Sequence, residues 1–115
     1  MTLQTNLQHI TSADQFRKIL TENNNVMICC GRMGPMCTPV YQTMKKLEGE
    51  YNHVAFYDFL FDHPDAHLIK SLPECKSFMG LPFTVYYKNG EVTAATTSIQ
   101  NEGQIRQVLD AQFGG

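Results

Sequence analysis

Apolar positions along the chain follow two rhythms. Val26-Met27-Ile28-Cys29-Cys30 is an unbroken apolar run of strand length, the signature of a strand buried on both faces. His53–Phe61 is a second such run, rich in aromatic residues, and Leu7–Ile10, Pro82–Tyr87 and Val92–Ile99 read as further strands. Between them the spacing changes to three and four. Phe16, Ile19 and Leu20 predict a helix over residues 13 to 22. Thr11 and Ser12 offer N-caps for it, with Gln15 three residues after Ser12 as in a capping box. The Asn23-Asn24-Asn25 triplet then marks a loop. Val40, Met44 and Leu47 predict a second helix running to about Tyr51. Before it, Gly31 to Pro35 reads as a turn, with Pro35 in the first helical turn, where its missing N–H costs nothing. Asp62-His63-Pro64-Asp65 opens a third helix containing Ala66, Leu68 and Ile69, which Pro73 ends. Lys88-Asn89-Gly90-Glu91 is a hairpin turn, since Asn-Gly tolerates the positive φ such turns need. Ile105, Val108 and Leu109 mark a last amphipathic helix.

The predicted order is β-α-β-α-β-α-β-β-α. Strands joined through helices run parallel and the closing hairpin is antiparallel, so the chain is expected to form an α/β mixed sheet with helices on both faces. The strands at 26–30 and 53–61 should lie inside it. No linker, repeat or low-complexity stretch divides the sequence, so residues 1–115 are read as one domain. With 43% hydrophobic and 17% charged residues, the chain is not a disordered tail. No apolar run approaches the roughly 20 residues that span a bilayer, and no membrane association is expected. The net charge is −2 and the basic residues are scattered, so there is no stripe to follow a nucleic-acid backbone. The first twenty residues carry Asp14, Arg17 and Lys18 and no signal-peptide pattern, so a cytoplasmic location is expected.

Four cysteines, Cys29, Cys30, Cys37 and Cys75, raise the question of disulfides or a metal. Two of them end a buried strand, where free cysteine packs as a small hydrophobe. Their spacing lacks paired Cys-x-x-Cys knuckles, so no metal site is expected and no cofactor is implied. His63 and His67 would share a helix face, but no third ligand lies nearby in the sequence and a solvated face is the simpler reading. Asp58 and Asp62 fall on the strand pattern with even spacing. Asp62, at the strand's end, reads as a solvated carboxylate or as a group that tunes a nearby thiol.

The segment Gly80-Leu81-Pro82-Phe83-Thr84-Val85-Tyr86-Tyr87-Lys88-Asn89-Gly90-Glu91 resembles the Gly-Ile-Pro-Thr segment, strand and Lys-Asn-Gly-Glu turn of the thioredoxin family. Gly103 to Ala111 is similar to that family's last helix. His9-Ile10-Thr11 and Phe16 fit its first strand and helix, and Asp62 fits the acid that closes its central strand. The resemblance covers essentially the whole chain. It implies a thioredoxin fold in which Pro82 is a cis-proline facing the active site.

The departures lie at that site. The family carries Trp-Cys-Gly-Pro-Cys between its central strand and second helix. A gapless alignment from Glu50-Tyr51 sets Gly34-Pro35-Met36-Cys37 on the Cys-x-x-Cys positions. The nucleophilic cysteine is then Gly34, the tryptophan before it Met33, and the strand's buried aspartate Ile28. A slipped alignment sets Met33-Gly34-Pro35-Met36 on the Gly-Pro core, at the cost of both cysteines and a deletion in the helix. About five more residues lie between Asp62 and Pro82 than the family normally has, near Ser71 to Lys76.

Dithiol reduction needs one thiolate to attack and a second thiol to resolve the mixed disulfide. Cys37 is the candidate thiol here: either a buried remnant or a lone nucleophile. Cys75 and Cys30 are its candidate unconventional partners, although each also reads as a loop or core thiol. Met33 and Met36, flanking Gly34 and Pro35, form an adaptable apolar rim or fill gaps against the helix. Together with Leu81 and Pro82 they are the candidate binding residues. The expected partners are protein thiols or client peptides. The resemblance implies thiol-redox homeostasis with weak or absent general reductase activity. The alternative is a non-catalytic, chaperone-type module holding peptides at the cis-proline groove.

Overall fold

In a computed structural model, residues 2–76 and 80–114 are described. The strands are β1 (Gln8–Ile10), β2 (Asn25–Gly31), β3 (Ala55–Leu60), β4 (Phe83–Lys88) and β5 (Glu91–Thr97). The helices are α1 (Ala13–Glu22), α2 (Thr38–Glu48), α3 (His67–Lys70) and α4 (Glu102–Phe113). One mixed sheet has the order β1-β3-β2-β4-β5. β1 and β2 run parallel to β3, and β4 runs antiparallel to β2 and β5. The two longest apolar runs of the sequence, β2 and β3, are interior strands, as their composition predicts.

Helices cover both faces. On one, Val40, Tyr41, Met44 and Leu47 of α2 and Ile105 and Leu109 of α4 pack on Met27, Cys29, Phe56 and Tyr86. On the other, Phe16 and Ile19 of α1 and Ile69 of α3 pack on Val26, Ile28, Cys30, Phe59 and Val85. The period-two alternation of strand side chains makes this division. Consecutive residues of β2 therefore belong to different cores.

Local signals explain most boundaries. Ser12 caps α1 by accepting from the Gln15 N–H at 3.1 Å. The return half of the expected box is displaced by one residue, because Gln15 Oε1 accepts from the Thr11 N–H. Asn89 and Gly90 both take positive φ, 53° and 84°, in the β4–β5 hairpin. Asn101 and Gln104 form a complete capping box on α4.

Three expectations are corrected. Helix α2 begins at Thr38, with Pro39 the proline of its first turn and Cys37 its N-cap. Pro35 lies in a preceding turn closed by the Thr38 N–H donating to Gly34 O at 2.9 Å. The stretch after β3 is not one helix. Pro64–Ala66 and Pro73–Cys75 are 3-10 turns around the four-residue α3. His63 is the cap residue before the first of these turns, so it does not share a helix face with His67. The segment expected to hold the extra residues is described through Lys76, while residues 77–79 before Pro82 lie outside the described residues.

Candidate functional site

The site forms where the C-terminal end of β2 hands the chain to α2. Gly31 ends β2, and a Cβ placed there would lie 2.6 Å from Tyr41 Oη, 2.9 Å from Cys37 Sγ and 3.1 Å from Pro82 Cβ. Four residues from three segments thus meet at one backbone position that has room only for hydrogen. The Leu81–Pro82 peptide is cis, and Pro82 is buried at the head of β4.

Cys37 is 4% exposed, and its carbonyl accepts from the Val40 and Tyr41 N–H groups as α2 begins. Tyr41 reaches back from the first turn of α2 and donates from Oη to Arg32 O at 3.1 Å. Its hydroxyl is pushed far up, first by burial and then by the neighbouring Cys29 and Cys37 thiols, so it stays protonated and donating. Arg32 is fixed outside by a two-pronged ion pair with Asp62, both bonds 2.8 Å. Asp62 is thereby held below the usual carboxylate range, by the Arg32 hydrogen bonds first and then by charge attraction. It is solvent-exposed, in keeping with its place at the strand's end.

The other cysteines do not all join Cys37 on its face. Cys30 packs in the α1/α3 core, as does Cys75, which is 4% exposed rather than an open loop thiol. Burial, and then the Cys75 thiol, push Cys30 up to about 12. Burial also raises Cys75, with Lys70 opposing. Cys29 does share the Cys37 face. It accepts a 3.8 Å bond from Thr84 Oγ1, and burial raises it well above its ordinary value. All four cysteines are free. Met33 and Met36, by contrast, are each 46% exposed, and Gly34 has open space where a side chain would go. Beside this turn lies a cleft of about 170 Å³ whose lining includes Thr5, Met33, Thr38 and Tyr41.

A buried carboxylate is present, although not where the gapless alignment would look for it. Ile28 points into the α1/α3 core, away from Cys37. Asp58 of β3, 0% exposed and in register with Cys29, accepts from Thr5 Oγ1 at 2.5 Å and pairs with His9 Nδ1 at 2.8 Å. Burial raises its carboxyl, and the Thr5 and His9 hydrogen bonds oppose that rise. Sequence reasoning assigned no role to Gly31, Tyr41 or this Asp58 cluster. The available signals were a glycine ending an apolar strand and a lone acid inside another.

Solved structures resemble the fold of this chain over nearly its full length. Plasmodium falciparum thioredoxin matches with a TM-score of 0.77 at 18% identity, over 92% of this chain and 99% of that one. The chain has a thioredoxin fold. Chlamydomonas reinhardtii thioredoxin f2 gives 0.77 at 17% identity, over 95% of this chain and 98% of that one. Trypanosoma brucei brucei thioredoxin gives 0.74 at 21% identity, over 91% and 88%. No protein-family model and no curated protein sequence matches the chain. On this thioredoxin fold the turn between β2 and α2 presents two thioethers outward and one thiol inward. Among the described residues, no group of three or more potential ligands could hold a metal ion, and no helix is long and apolar enough to cross a membrane.

Proposed function

We propose that this chain is a thioredoxin-like protein of thiol-redox homeostasis whose atypical site engages protein segments and reduces general disulfides poorly or not at all. One observation carries the reading: on the β2–α2 turn Cys37 is buried while Met33 and Met36 are exposed. A disulfide reductase must offer an accessible thiolate and a second thiol to resolve the mixed disulfide. Here the neighbouring turn position that could carry the attacking thiol is Gly34. What the turn does offer is adaptable apolar surface, which suits irregular client peptides. Pro82 lies against Gly31, where this turn begins, and in this reading Leu81 and Pro82 align an extended peptide by backbone pairing. Four free thiols fit a reducing compartment, and the reading places the chain in the cytoplasm as one domain of 115 residues.

A second reading makes the chain an oxidoreductase that joins Cys37 to Cys75 or Cys30. It is less well supported, because those two thiols pack under α1 and α3 while Cys37 packs under α2. An insulin-disulfide reduction assay separates the readings. The wild type should turn over at least about tenfold more slowly than an ordinary thioredoxin, since the attacking thiol is lacking. Turnover within tenfold, abolished by Cys75→Ser, would establish the second reading.

A further inference from the structure

We propose that, among the described residues, Met33 and Met36 are the oxidant-reactive groups, so that a peroxide converts their thioethers to sulfoxides before it consumes any of the four thiols. The argument starts from access. Both sulfur-bearing side chains are 46% exposed on the β2–α2 turn, whereas Met27 of β2 and Met44 of α2 are 0% exposed in the core between them and the four cysteines are at most 4% exposed. Met1 and Met79 lie outside the described residues.

Access decides the order because the two kinds of sulfur react differently. A thioether attacks peroxide through a lone pair it always has, so exposure alone sets its rate. A thiol must be both reachable and deprotonated. Burial both hides Cys29, Cys30 and Cys75 and pushes them upward, so in the closed core their thiolates are scarce as well as out of reach. Cys37 is buried beside the Tyr41 hydroxyl and Pro82, where Gly31 closes the space. In the reaction, the sulfur lone pair attacks one peroxide oxygen. The S–O bond forms as the O–O bond breaks, and the other oxygen leaves as hydroxide that takes up the proton shed by the newly bound oxygen, giving sulfoxide and water. Sulfur is oxidised by two electrons and hydrogen peroxide is reduced by two.

The product replaces two flexible apolar side chains with polar, chiral ones. Resting on the client-binding reading above, this would turn the apolar rim polar and release a bound segment. Loss of binding under oxidant would then occur with every thiol still reduced, and methionine sulfoxide reduction would restore it.

The test treats the native full-length chain with increasing hydrogen peroxide and locates each added oxygen by peptide mass spectrometry, with alkylation of all thiols after unfolding. Sulfoxide at Met33 and Met36 should form about tenfold or more faster than at Met27 and Met44, which react only after local opening. All four cysteines should still alkylate at that point. Oxidation of any cysteine first, or of Met27 or Met44 at the same rate, overturns the proposal. A Met33→Leu, Met36→Leu double variant keeps the two readings apart. Whatever affinity the untreated variant shows for an unfolded, reduced client protein, peroxide should leave that affinity unchanged, while peroxide weakens binding by the wild type. Wild type oxidised at both positions yet binding unchanged would overturn the rim as a contact surface and leave the oxidation site standing.

Discussion

Replacing Gly31 by alanine tests the convergence at the site most directly. The added methyl would sit 2.6 Å from Tyr41 Oη, about 0.8 Å inside ordinary contact, and 2.9 Å from Cys37 Sγ. Neither neighbour has free room: Tyr41 is 2% and Cys37 4% exposed, and Tyr41 Oη is bonded to Arg32 O. Overpacking of this kind costs about 1–3 kcal/mol. Against it stands the gain of roughly 0.5–1 kcal/mol from replacing glycine inside a strand. The middle of these ranges leaves a net loss of about 1 kcal/mol, or a fall in Tm of roughly 4–5 °C for a chain of this size. Urea unfolding, with the slope checked for constancy, reads the loss directly. The contact pair also predicts coupling. In a Tyr41→Phe background the shortest clash disappears, so the alanine should cost less there by at least about 0.5 kcal/mol. A midpoint equal to or above that of the wild type, with no coupling to Tyr41, would refute the described geometry.

Two further outcomes follow from the same region. Gly34→Cys should be accommodated, since a Cβ there meets nothing within 4 Å, and the introduced thiol should form a disulfide with Cys37 on mild oxidation. Reductase activity should return only in part, because Ile28 offers no proton acceptor and general-base help is typically worth about 10²–10⁴ in rate. Absence by mass spectrometry of any crosslink between the introduced thiol and Cys37 would argue against the gapless alignment. For Asp58, the folded carboxyl titrates above its ordinary value, so the native state binds a proton more readily than the unfolded chain. Stability contributed by Asp58 is therefore greatest at low pH and is lost as pH rises from about 4 through the folded value. Urea midpoints across that range should show the decline in the wild type relative to Asp58→Asn. Parallel profiles would contradict it.

Some elements are legible in the sequence and others are hidden for physical reasons. The helix over residues 13–22 is readable because its signals are local: a serine cap, apolar residues at three- and four-residue spacing, and an asparagine loop after it. The β4–β5 turn is legible for the same reason, Asn89-Gly90 being matched to positive φ. The start of α2 is less so, since Pro35 and Pro39 both fit a first helical turn, and the Gly34–Thr38 hydrogen bond closes a separate turn before the helix. The 62–76 stretch carries helical spacing, but Pro64 and Pro73 cut it into pieces too short for a full helix. The site itself rests on partners far apart in sequence. Thr5 and His9 reach Asp58 across 53 and 49 residues, and Gly31 meets Pro82 from another segment. Nothing in a local window marks such meetings.

The sheet that separates Cys29 from Cys30 also makes the molecule its own instrument. Each layer holds two thiols, Cys29 and Cys37 beneath α2 and α4, Cys30 and Cys75 beneath α1 and α3. Because no thiol is exposed, a labelling reagent can enter only when a layer lifts. Pairs of labels acquired together would identify which layer opened, and the rate of each pair would clock that opening separately. A single wild-type preparation thus reports on the breathing of both halves of its core, with no probe added by mutation.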